Sequence, residues 1–364
     1  MTSVVFRTDA SLQIGTGHVM RCLTLADALK AEGVECHFIC REHPGNLLDY
    51  IKGKGFSAYA ISVVSTLLST ELAQLAHAHW LGASQQQDAD ECAAILSELQ
   101  PDWLIVDHYA LDACWESMLQ PYYRKLMVID DLADRHHICH VLVDQTFGRN
   151  ADDYIQKVPA GCRVLCGSQY ALLRPEFAAL RQYSLKRRET PQMYSLLVNM
   201  GGVDRNNATG KVLQALRHCD LPVSCSITVI MGTSAPWLSE VRLQAEQMPW
   251  HTDIRVGVSN MAQLMADSDL AIGAAGSTSW ERCCLGLPTV MVVLADNQRQ
   301  VAQGLEQVGA ALAVDLQQIA ESLPTLLTPL VSLPAPRFVM GQVAAGITDG
   351  CGVTAVVQHL EPLK

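Results

Sequence analysis

The sequence predicts an α/β protein built from two doubly wound domains with parallel sheets. Three observations support this prediction. The chain has 364 residues, which is long for a single domain, and 49% of them are apolar while 17% are charged, enough apolar material for two packed cores. In each half, short apolar segments alternate with helical patterns. Many of these segments end at an acid or a glycine turn, as buried parallel strands do.

The first half supplies the elements of one such domain. After the apolar "VVF", a helix is predicted from His18 to Ala31, ending at Gly33. "ECHFIC", "WLIVD" and "LMVID" have the length and composition of buried strands, and "NLLDYIKG" and "DADECAAILSELQ" have helical spacing. We therefore expect a first domain over residues 1–150, with the crossover to the second domain running from Gly148 to about Leu173.

The second half repeats the alternation. "SLLVNMGG", "SITVIMG", "DLAIGAAG" and "PTVMVVL" are predicted strands, and "NNATGKVLQALRHC", "NMAQLMADS", "STSWERCCLG" and "NQRQVAQGLEQVG" are predicted helices. A second domain is expected over residues 151–340. In both domains, ligands should bind at the carboxyl ends of the strands.

Charge and cysteine usage limit the classes of function. The net charge is −11 with Lys and Arg scattered along the chain, which argues against a nucleic-acid surface but leaves room for a small anionic ligand. The longest apolar run, "PTVMVVLA", is too short to span a membrane, and no targeting segment is recognised. The 13 dispersed cysteines indicate reduced thiols in a cytoplasmic protein.

The first glycine loop contains a candidate catalytic residue. Gly15 and Gly17 allow the backbone to turn tightly and approach a ligand. His18 lies on the first turn of the following helix, where the helix dipole favours the neutral imidazole that a general base requires. Alternatively, His18 hydrogen-bonds a loop carbonyl, and spacing alone does not decide between the two.

Three turns of the second half are candidate nucleotide or sugar contacts. Gly201 and Gly202 could cradle a phosphate, although on their own they fit a tight corner better, with Asn206 and Asn207 as helix caps. Gly276 leads into a helix near Ser277, a natural diphosphate site, and Glu281 one turn on could accept hydrogen bonds from a ribose or be a solvated surface acid. Asp296, Asn297 and Gln298 suit sugar hydroxyls, with helix capping as the competing interpretation.

Other motifs are discounted. The histidines and cysteines of "HHICH" (His136–His140) lack the paired spacing of a zinc site, and those of "CHFIC" alternate as in a buried strand. "GTGHVM" lacks the third glycine of a dinucleotide fingerprint, which disfavours a dehydrogenase.

Together these motifs resemble a known family, the UDP-sugar hydrolases of pseudaminic acid biosynthesis. The resemblance rests on "RTDASLQIGTGHVMRCLTLADAL", "WLGASQQQDA", "VDHYALD", "VIDDLADR", "YALLRPEF", "NMGGVD" and "GAAGSTSWE", in order along nearly the whole chain. It implies the GT-B fold: two Rossmann-like domains facing a central cleft, with a C-terminal helix in residues 341–364 returning to the first domain. The block at Glu281 is shared with GT-B glycosyltransferases, including the murein transferase.

The resemblance also implies roles for individual residues. His18 corresponds to the family's catalytic histidine, which deprotonates the attacking water. Substrate contacts are implied for Gly17 and Tyr109 in the first domain, and for the following residues in the second: Arg174, Gly201, Gly202, Met261, Ser277, Thr278, Glu281 and Asn297. Glu281 would contact the ribose, the turn Gly276–Thr278 the diphosphate, and the backbone near Met261 the uracil.

The implied reaction is hydrolysis of UDP-2,4-diacetamido-2,4,6-trideoxy-β-L-altropyranose by attack of water at the anomeric carbon. It belongs to pseudaminic acid biosynthesis and thereby to flagellin glycosylation. No cofactor, metal or obligate protein partner is expected, because helix amides and Arg174 can stabilise departing UDP. Two other hypotheses remain. One is a GT-B glycosyltransferase with a UDP-hexosamine donor, and the other is a noncatalytic nucleotide-sugar sensor.

Overall fold

The computed structural model describes residues 2–63 and 75–360, which form two compact units. The first unit comprises the described residues of Met1–Leu172 and Gly352–Lys364, and the second comprises Leu173–Cys351. Each unit contains a parallel sheet covered by helices. This is the GT-B architecture of two Rossmann-like domains.

The described part of the first unit contains a sheet of seven parallel strands in the order β3-β2-β1-β4-β5-β6-β7. Its strands are β1 (Ser3–Thr8), β2 (Glu35–Arg41), β3 (Ser57–Ile61), β4 (Trp103–Asp107), β5 (Lys125–Ile129), β6 (Val141–Asp144) and β7 (Arg163–Cys166). Its helices are α1 (Gly17–Ala31), α2 (Leu48–Gly53), α3 (Gln85–Leu99) and α4 (Ala113–Leu119). The direction of winding reverses between β1 and β4, which creates a switch point at the carboxyl ends of these two strands.

The second unit contains a six-stranded parallel sheet in the order β10-β9-β8-β11-β12-β13. Its strands are β8 (Ser195–Asn199), β9 (Ser226–Met231), β10 (His251–Val256), β11 (Leu270–Ala274), β12 (Thr289–Val293) and β13 (Leu312–Asp315). Its helices are α5 (Pro175–Arg187), α6 (Ala208–Leu216), α7 (Leu238–Glu246), α8 (Met261–Asp267), α9 (Thr278–Cys284), α10 (Arg299–Gln307), α11 (Ile319–Ser332) and α12 (Pro334–Ala345). Here the switch point lies between β8 and β11.

The boundary between the units lies at Leu172–Leu173, and not at residues 150 and 151. The segment from Gly148 to Leu173, expected to be the crossover, contains β7, which pairs with β6 from Val141↔Arg163 to Asp144↔Cys166. Because these backbone hydrogen bonds attach β7 to the first sheet, the chain enters the second unit only after that strand. Helix α5 then opens the second unit, with Pro175 at its first position.

The C-terminal part of the chain returns to the first unit at Gly352, later than the expected residue 341. Helix α12 therefore belongs to the second unit. The short helix α13 (Gly352–Val357) packs against α1. Val353, Val356 and Leu360 join the apolar cluster that also holds β1, β2 and α1 side chains.

Both cores consist of strand side chains packed against helix faces. In the first unit the two sides of the sheet form separate clusters, one under α1 and one under α3 and α4. In the second unit one large cluster holds β8, β9, β11 and β12 against α6 and α11. Among the described residues no helix has both the length and the apolarity needed to cross a bilayer.

Candidate functional site

The residues singled out in the sequence lie at the carboxyl edges of the two sheets. In the first unit, Gly17 and His18 open α1 at the end of the loop that follows β1, and Tyr109 follows β4. In the second unit, the turns at Gly201 and at Gly276 follow β8 and β11, the two strands at the switch point. These are the places where doubly wound folds bind ligands.

His18 is held by a buried aspartate that ends β4. Its Nδ1 lies 2.6 Å from Oδ1 of Asp107, and the imidazole is 9% exposed while Asp107 is fully buried. An ionised carboxylate only accepts hydrogen bonds, so Nδ1 carries the proton. The second nitrogen, Nε2, has no hydrogen-bond partner in the part of the chain that is described. The ring is thus oriented with a free basic nitrogen, as in Asp-His pairs that serve as general bases.

Arg21 keeps Asp107 ionised. Its Nε and Nη2 donate to the two oxygens of Asp107 at 2.6 and 2.7 Å, a bidentate pair. Burial alone would raise the pKa of Asp107, but the charges of Arg21 and His18, with their hydrogen bonds, lower it well below its ordinary value. The carboxylate is therefore ionised and accepts from Nδ1 at neutral pH.

Tyr109 connects this pair to β5. Its hydroxyl donates to Oδ2 of Asp131 at 2.7 Å, and Arg21 donates to the same oxygen at 2.5 Å. Burial and then Asp131 raise the pKa of Tyr109, so the phenol stays protonated. The Tyr109 ring meets His18 edge-to-face at 4.6 Å, and Trp80 stacks on Tyr109 at 5.8 Å. His18 thus packs against the aromatic rings of Tyr109 and Trp80.

The turn after β8 is tight because two backbones meet there. Gly201 adopts a φ of 88°, and a Cβ on Gly232 would lie 1.9 Å from the carbonyl oxygen of Gly202. The predicted cap of the following helix is confirmed, since Oδ1 of Asn207 accepts from the Gly210 amide at 3.0 Å. Asp204 adds two further hydrogen bonds to the amides of Ala208 and Thr209. The Gly201–Gly202 turn thus connects β8 at the switch point to a capped α6.

The turn after β11 brings Gly276, Ser277 and Thr278 to the start of α9. The helix begins at Thr278, and its capping residue Ser277 is exposed and makes no side-chain cap. A Cβ on Gly276 would lie 3.7 Å from Nε2 of Gln298, so the loop after β12 borders this turn. Asn297, half-buried, lies in that loop. The competing interpretation of Asp296 or Asn297 as a helix cap is wrong, because α10 begins after Gln298 without a side-chain cap. Asp296 pairs with Arg299 at 3.1 Å on the surface instead.

Glu281 and Arg174 lie next to each other in the second unit. Nη2 of Arg174 is 3.8 Å from Oε1 of Glu281, and Nη1 is 3.0 Å from Glu176. Burial raises the pKa of Glu281 to about 7, although Arg174 and Arg282 act in the opposite direction. Glu281 is therefore not a solvated surface acid. Met261, the remaining predicted contact, is half-buried and begins α8, after β10 at the same edge of the sheet.

The discounted histidine and cysteine motifs have separate partners. His137 Nδ1 lies 2.6 Å from Glu116, His140 accepts from the Leu126 amide at 3.1 Å, and Cys139 is 3.6 Å from Cys162. Cys36, His37 and Cys40 are buried in β2. In the described ranges, no group of three or more such side chains converges on one point.

The sequence interpretation missed four residues around His18, namely Arg21, Trp80, Asp107 and Asp131. A signal for Asp107 was present, because "WLIVD" ends in an acid and its strand neighbours the one that leads to His18. The register Thr8↔Asp107 makes these positions adjacent. Arg21 lies one turn after His18 on α1, the spacing at which helical side chains meet.

Comparison with known proteins identifies relatives of this chain. Residues 210–344 match the family model of the glycosyltransferase family 28 C-terminal domain. The chain is 28% identical over 309 residues to the UDP-2,4-diacetamido-2,4,6-trideoxy-beta-L-altropyranose hydrolase of Campylobacter jejuni, covering 84% of this chain and 97% of that protein.

Solved structures show the same fold. Acinetobacter baumannii MurG superposes with a TM-score of 0.72 at 17% identity over 99% of each chain. S. aureus MnaA, solved with UDP, has a TM-score of 0.61 at 11% identity, over 99% of this chain and 96% of its own. The chain therefore has the GT-B fold, and the resemblance to a UDP-sugar hydrolase that its motifs indicated is confirmed over most of its length.

Proposed function

We propose that this protein hydrolyses UDP-2,4-diacetamido-2,4,6-trideoxy-β-L-altropyranose to UDP and the free sugar. The observation that carries the proposal is the His18–Asp107 pair, which leaves Nε2 free to accept a proton. It occurs in a chain whose relative of that name matches over 84% of its residues. The substrate is taken from that relative, since no spacing of residues distinguishes one UDP-hexosamine from another.

The base acts on water. Nε2 of His18 takes a proton as the water oxygen bonds to the anomeric carbon, and the bond from that carbon to the diphosphate oxygen breaks. The bonding electrons leave with UDP. Asp107 stays ionised beside the protonated ring and stabilises its charge. Gly17 leaves space for the backbone to approach the sugar, and Tyr109 and Asn297 would contact it.

The second unit holds the leaving group in this proposal. Glu281 accepts from the ribose hydroxyls, the turn Gly276–Thr278 and Arg174 contact the diphosphate, and the backbone at Met261 contacts uracil. Gly201 and Gly202 lie at the same switch point. UDP spreads its negative charge over the diphosphate, so amide and guanidinium donors can stabilise it as it departs.

A glycosyltransferase with a UDP-hexosamine donor is the second candidate. It is favoured by the match of residues 210–344 to the glycosyltransferase family 28 C-terminal domain. In that reaction His18 would deprotonate an acceptor hydroxyl instead of water.

One assay separates the two. The protein is incubated with the UDP-sugar and no acceptor, and UDP and free sugar are quantified together. We expect equimolar UDP and free sugar from the wild type. His18→Ala should lower turnover on the order of 10²–10⁴-fold, the range for loss of a general base, and keep its affinity for UDP. Release of UDP only after an acceptor is added would instead support the transferase.

A further inference from the structure

Cys139 and Cys162 are two free thiols whose sulfur atoms lie 3.6 Å apart at the amino-terminal edge of the first sheet. Cys139 lies two residues before β6, and Cys162 immediately precedes β7. The two segments run side by side, since the Arg163 amide donates to the His140 carbonyl at 2.9 Å. His18 lies at the opposite edge of this sheet, where the strands end, so the pair takes no part in the candidate site.

The two thiols differ in their access to solvent. Cys139 is 2% exposed and belongs to the apolar cluster under α3 and α4. Cys162 packs against the same cluster but is partly exposed. A reagent that arrives from solvent therefore meets Cys162 first, with the sulfur of Cys139 in contact behind it.

The contact between the sulfur atoms also makes the two thiols differ in acidity. The hydrogen bond from Cys139 lowers the pKa of Cys162 below its ordinary value; burial opposes this, and the Leu142 amide acts in the same direction as the hydrogen bond. The same hydrogen bond, together with burial, raises the pKa of Cys139. Each of the other cysteines also has a raised pKa. Because the thiolate is the form that reacts with oxidants, Cys162 is the cysteine of this chain that should react first.

Two other cysteines show whether exposure alone decides reactivity. Cys114 and Cys351 are both exposed, more so than Cys162. Asp112 raises the pKa of Cys114, and burial together with Asp349 raises that of Cys351. If access to solvent were the deciding property, these two would be oxidised before Cys162. They are therefore internal controls within the same chain.

We propose that Cys162 and Cys139 form a redox site that reduces a hydroperoxide and closes into a disulfide, which fastens the edge strand β7 to β6. The Cys162 thiolate attacks an oxygen of the hydroperoxide, the O–O bond breaks, and the departing alkoxide or hydroxide takes a proton from solvent. Cys139 then attacks the Cys162 sulfur, whose S–O bond breaks, and the thiol proton leaves with the hydroxide as water. The two thiols supply the two electrons. Their sulfur atoms approach from 3.6 Å to about 2.0 Å.

The disulfide acts on the strand from which the chain leaves the first unit. Strand β7 pairs with β6 alone and is the last strand before the boundary at Leu172–Leu173. An edge strand has unpaired backbone groups on one side, so it opens more easily than a central strand. A covalent bond at its amino-terminal end opposes that opening. The inference is independent of the proposed function, because it involves no ligand at the carboxyl edge of the sheet.

The test treats the full-length protein with one equivalent of hydrogen peroxide, alkylates the remaining thiols and identifies the modified peptides by mass spectrometry. We expect the peptide linked through Cys139 and Cys162 to form at least about tenfold faster than any modification of Cys114 or Cys351. Cys139→Ser should stop the reaction at the sulfenic acid of Cys162, trapped with dimedone. Cys162→Ser should abolish both the disulfide and the dimedone adduct. Cys114→Ser, the matched control, should leave the yield of disulfide unchanged.

The wild type alone decides if a variant does not fold. Oxidation of Cys114 or Cys351 ahead of Cys162 would overturn the inference, because exposure would then govern reactivity. Sulfinic acid at Cys162 without a disulfide would overturn it as well, since Cys139 would then be out of reach.

Hydrogen exchange of the wild type tests the effect on the edge strand. We expect the amides of Arg163–Cys166 to exchange at least about tenfold more slowly after oxidation. Strand β13 (Leu312–Asp315), an edge strand of the second unit, is the control and should exchange at the same rate in both forms. Equal exchange of β7 in the two forms would contradict the claim that the disulfide fastens this strand.

Discussion

The two ring nitrogens of His18 have different surroundings, and this difference determines what the residue can do. Nδ1 faces a carboxylate at 2.6 Å, and Arg21 donates to both oxygens of that carboxylate. Nε2 meets no partner within the described residues. A histidine that only stabilised its loop would bond a loop carbonyl, which was the alternative left open by the sequence. The contact with Asp107 instead favours the interpretation of His18 as a base.

Asp107→Asn tests this interpretation. An amide at this position can donate to Nδ1, so the ring would take the other tautomer and its Nε2 would carry the proton. We expect kcat to fall on the order of 10²–10⁴-fold, with UDP affinity retained. Steady-state kinetics with parallel UDP calorimetry provide the measurement. Because the two residues act as one unit, adding Asp107→Asn to His18→Ala should cost little more. Independent, multiplicative losses would contradict the coupling.

Glu281 should make stability depend on pH. Burial raises its pKa from an ordinary 4.5 to about 7 in the folded protein. Between these values the folded state binds more protons than the unfolded state, so stability contributed by this group falls as pH rises from 4.5 to 7. Relative to Glu281→Gln, the wild type should lose about 3 kcal/mol of unfolding free energy between pH 4 and pH 8. Urea unfolding across this range measures it. A pH-independent difference between the two proteins would mean that the carboxyl titrates normally.

At the scale of elements, a buried charge network attaches α3 to the sheet of the first unit. Asp88, fully buried, accepts from Arg7 at 2.6 and 3.1 Å, from Arg41 at 2.7 Å and from the Trp115 indole at 2.9 Å. Asp9 takes the remaining Arg7 donor at 2.7 Å. Hydrogen bonds to Asp88 on α3 thus come from β1, β2 and α4. Since β1 leads directly to the His18 loop, the network also fixes where that loop begins.

Asp88→Ala should destabilise the first unit strongly. It leaves two buried guanidinium groups short of a partner, a loss of about 3–5 kcal/mol for a broken buried pair. Asp90→Ala is the control, because Asp90 lies on the exposed face of the same helix and should change stability by less than about 0.5 kcal/mol. Urea denaturation of the three proteins gives the values. Similar costs for Asp88 and Asp90 would contradict the assigned role of the network.

The sequence predicted the central strands well and the edge strands poorly. Strands β3, β7, β10 and β13 form the four edges of the two sheets, and none of them was predicted. An edge strand is partly exposed and carries polar residues, as in "HTDIRV" of β10, so it lacks the apolar run that identifies a buried strand. Because β7 was not predicted, the expected domain boundary was placed before it, at residues 150 and 151, instead of after it. Strand β6 was not predicted either, because its four residues are too few to show a strand pattern.

At the scale of the whole molecule, the chain passes through the first unit, then the second, and ends on the first. The six residues of α13 are too few for a periodic signal, so the sequence alone did not locate the return. Val356 and Leu360 are fully buried, and this removal of apolar surface from water stabilises the packing of the C-terminal segment on the first unit. Two doubly wound domains were predictable from the pattern, because the alternation of strands and helices occurs twice. The GT-B fold was predicted from the family resemblance and is confirmed.

The central claim is that water attacks the anomeric carbon of a UDP-sugar with His18 as the base. The most direct measurement is hydrolysis of UDP-2,4-diacetamido-2,4,6-trideoxy-β-L-altropyranose in ¹⁸O-labelled water, followed by mass spectrometry of both products. We predict that the label enters the free sugar and not UDP, and that His18→Ala forms the same labelled sugar far more slowly. Label in UDP would mean attack at phosphorus, and no product without an added acceptor would mean transfer; either result would contradict the account.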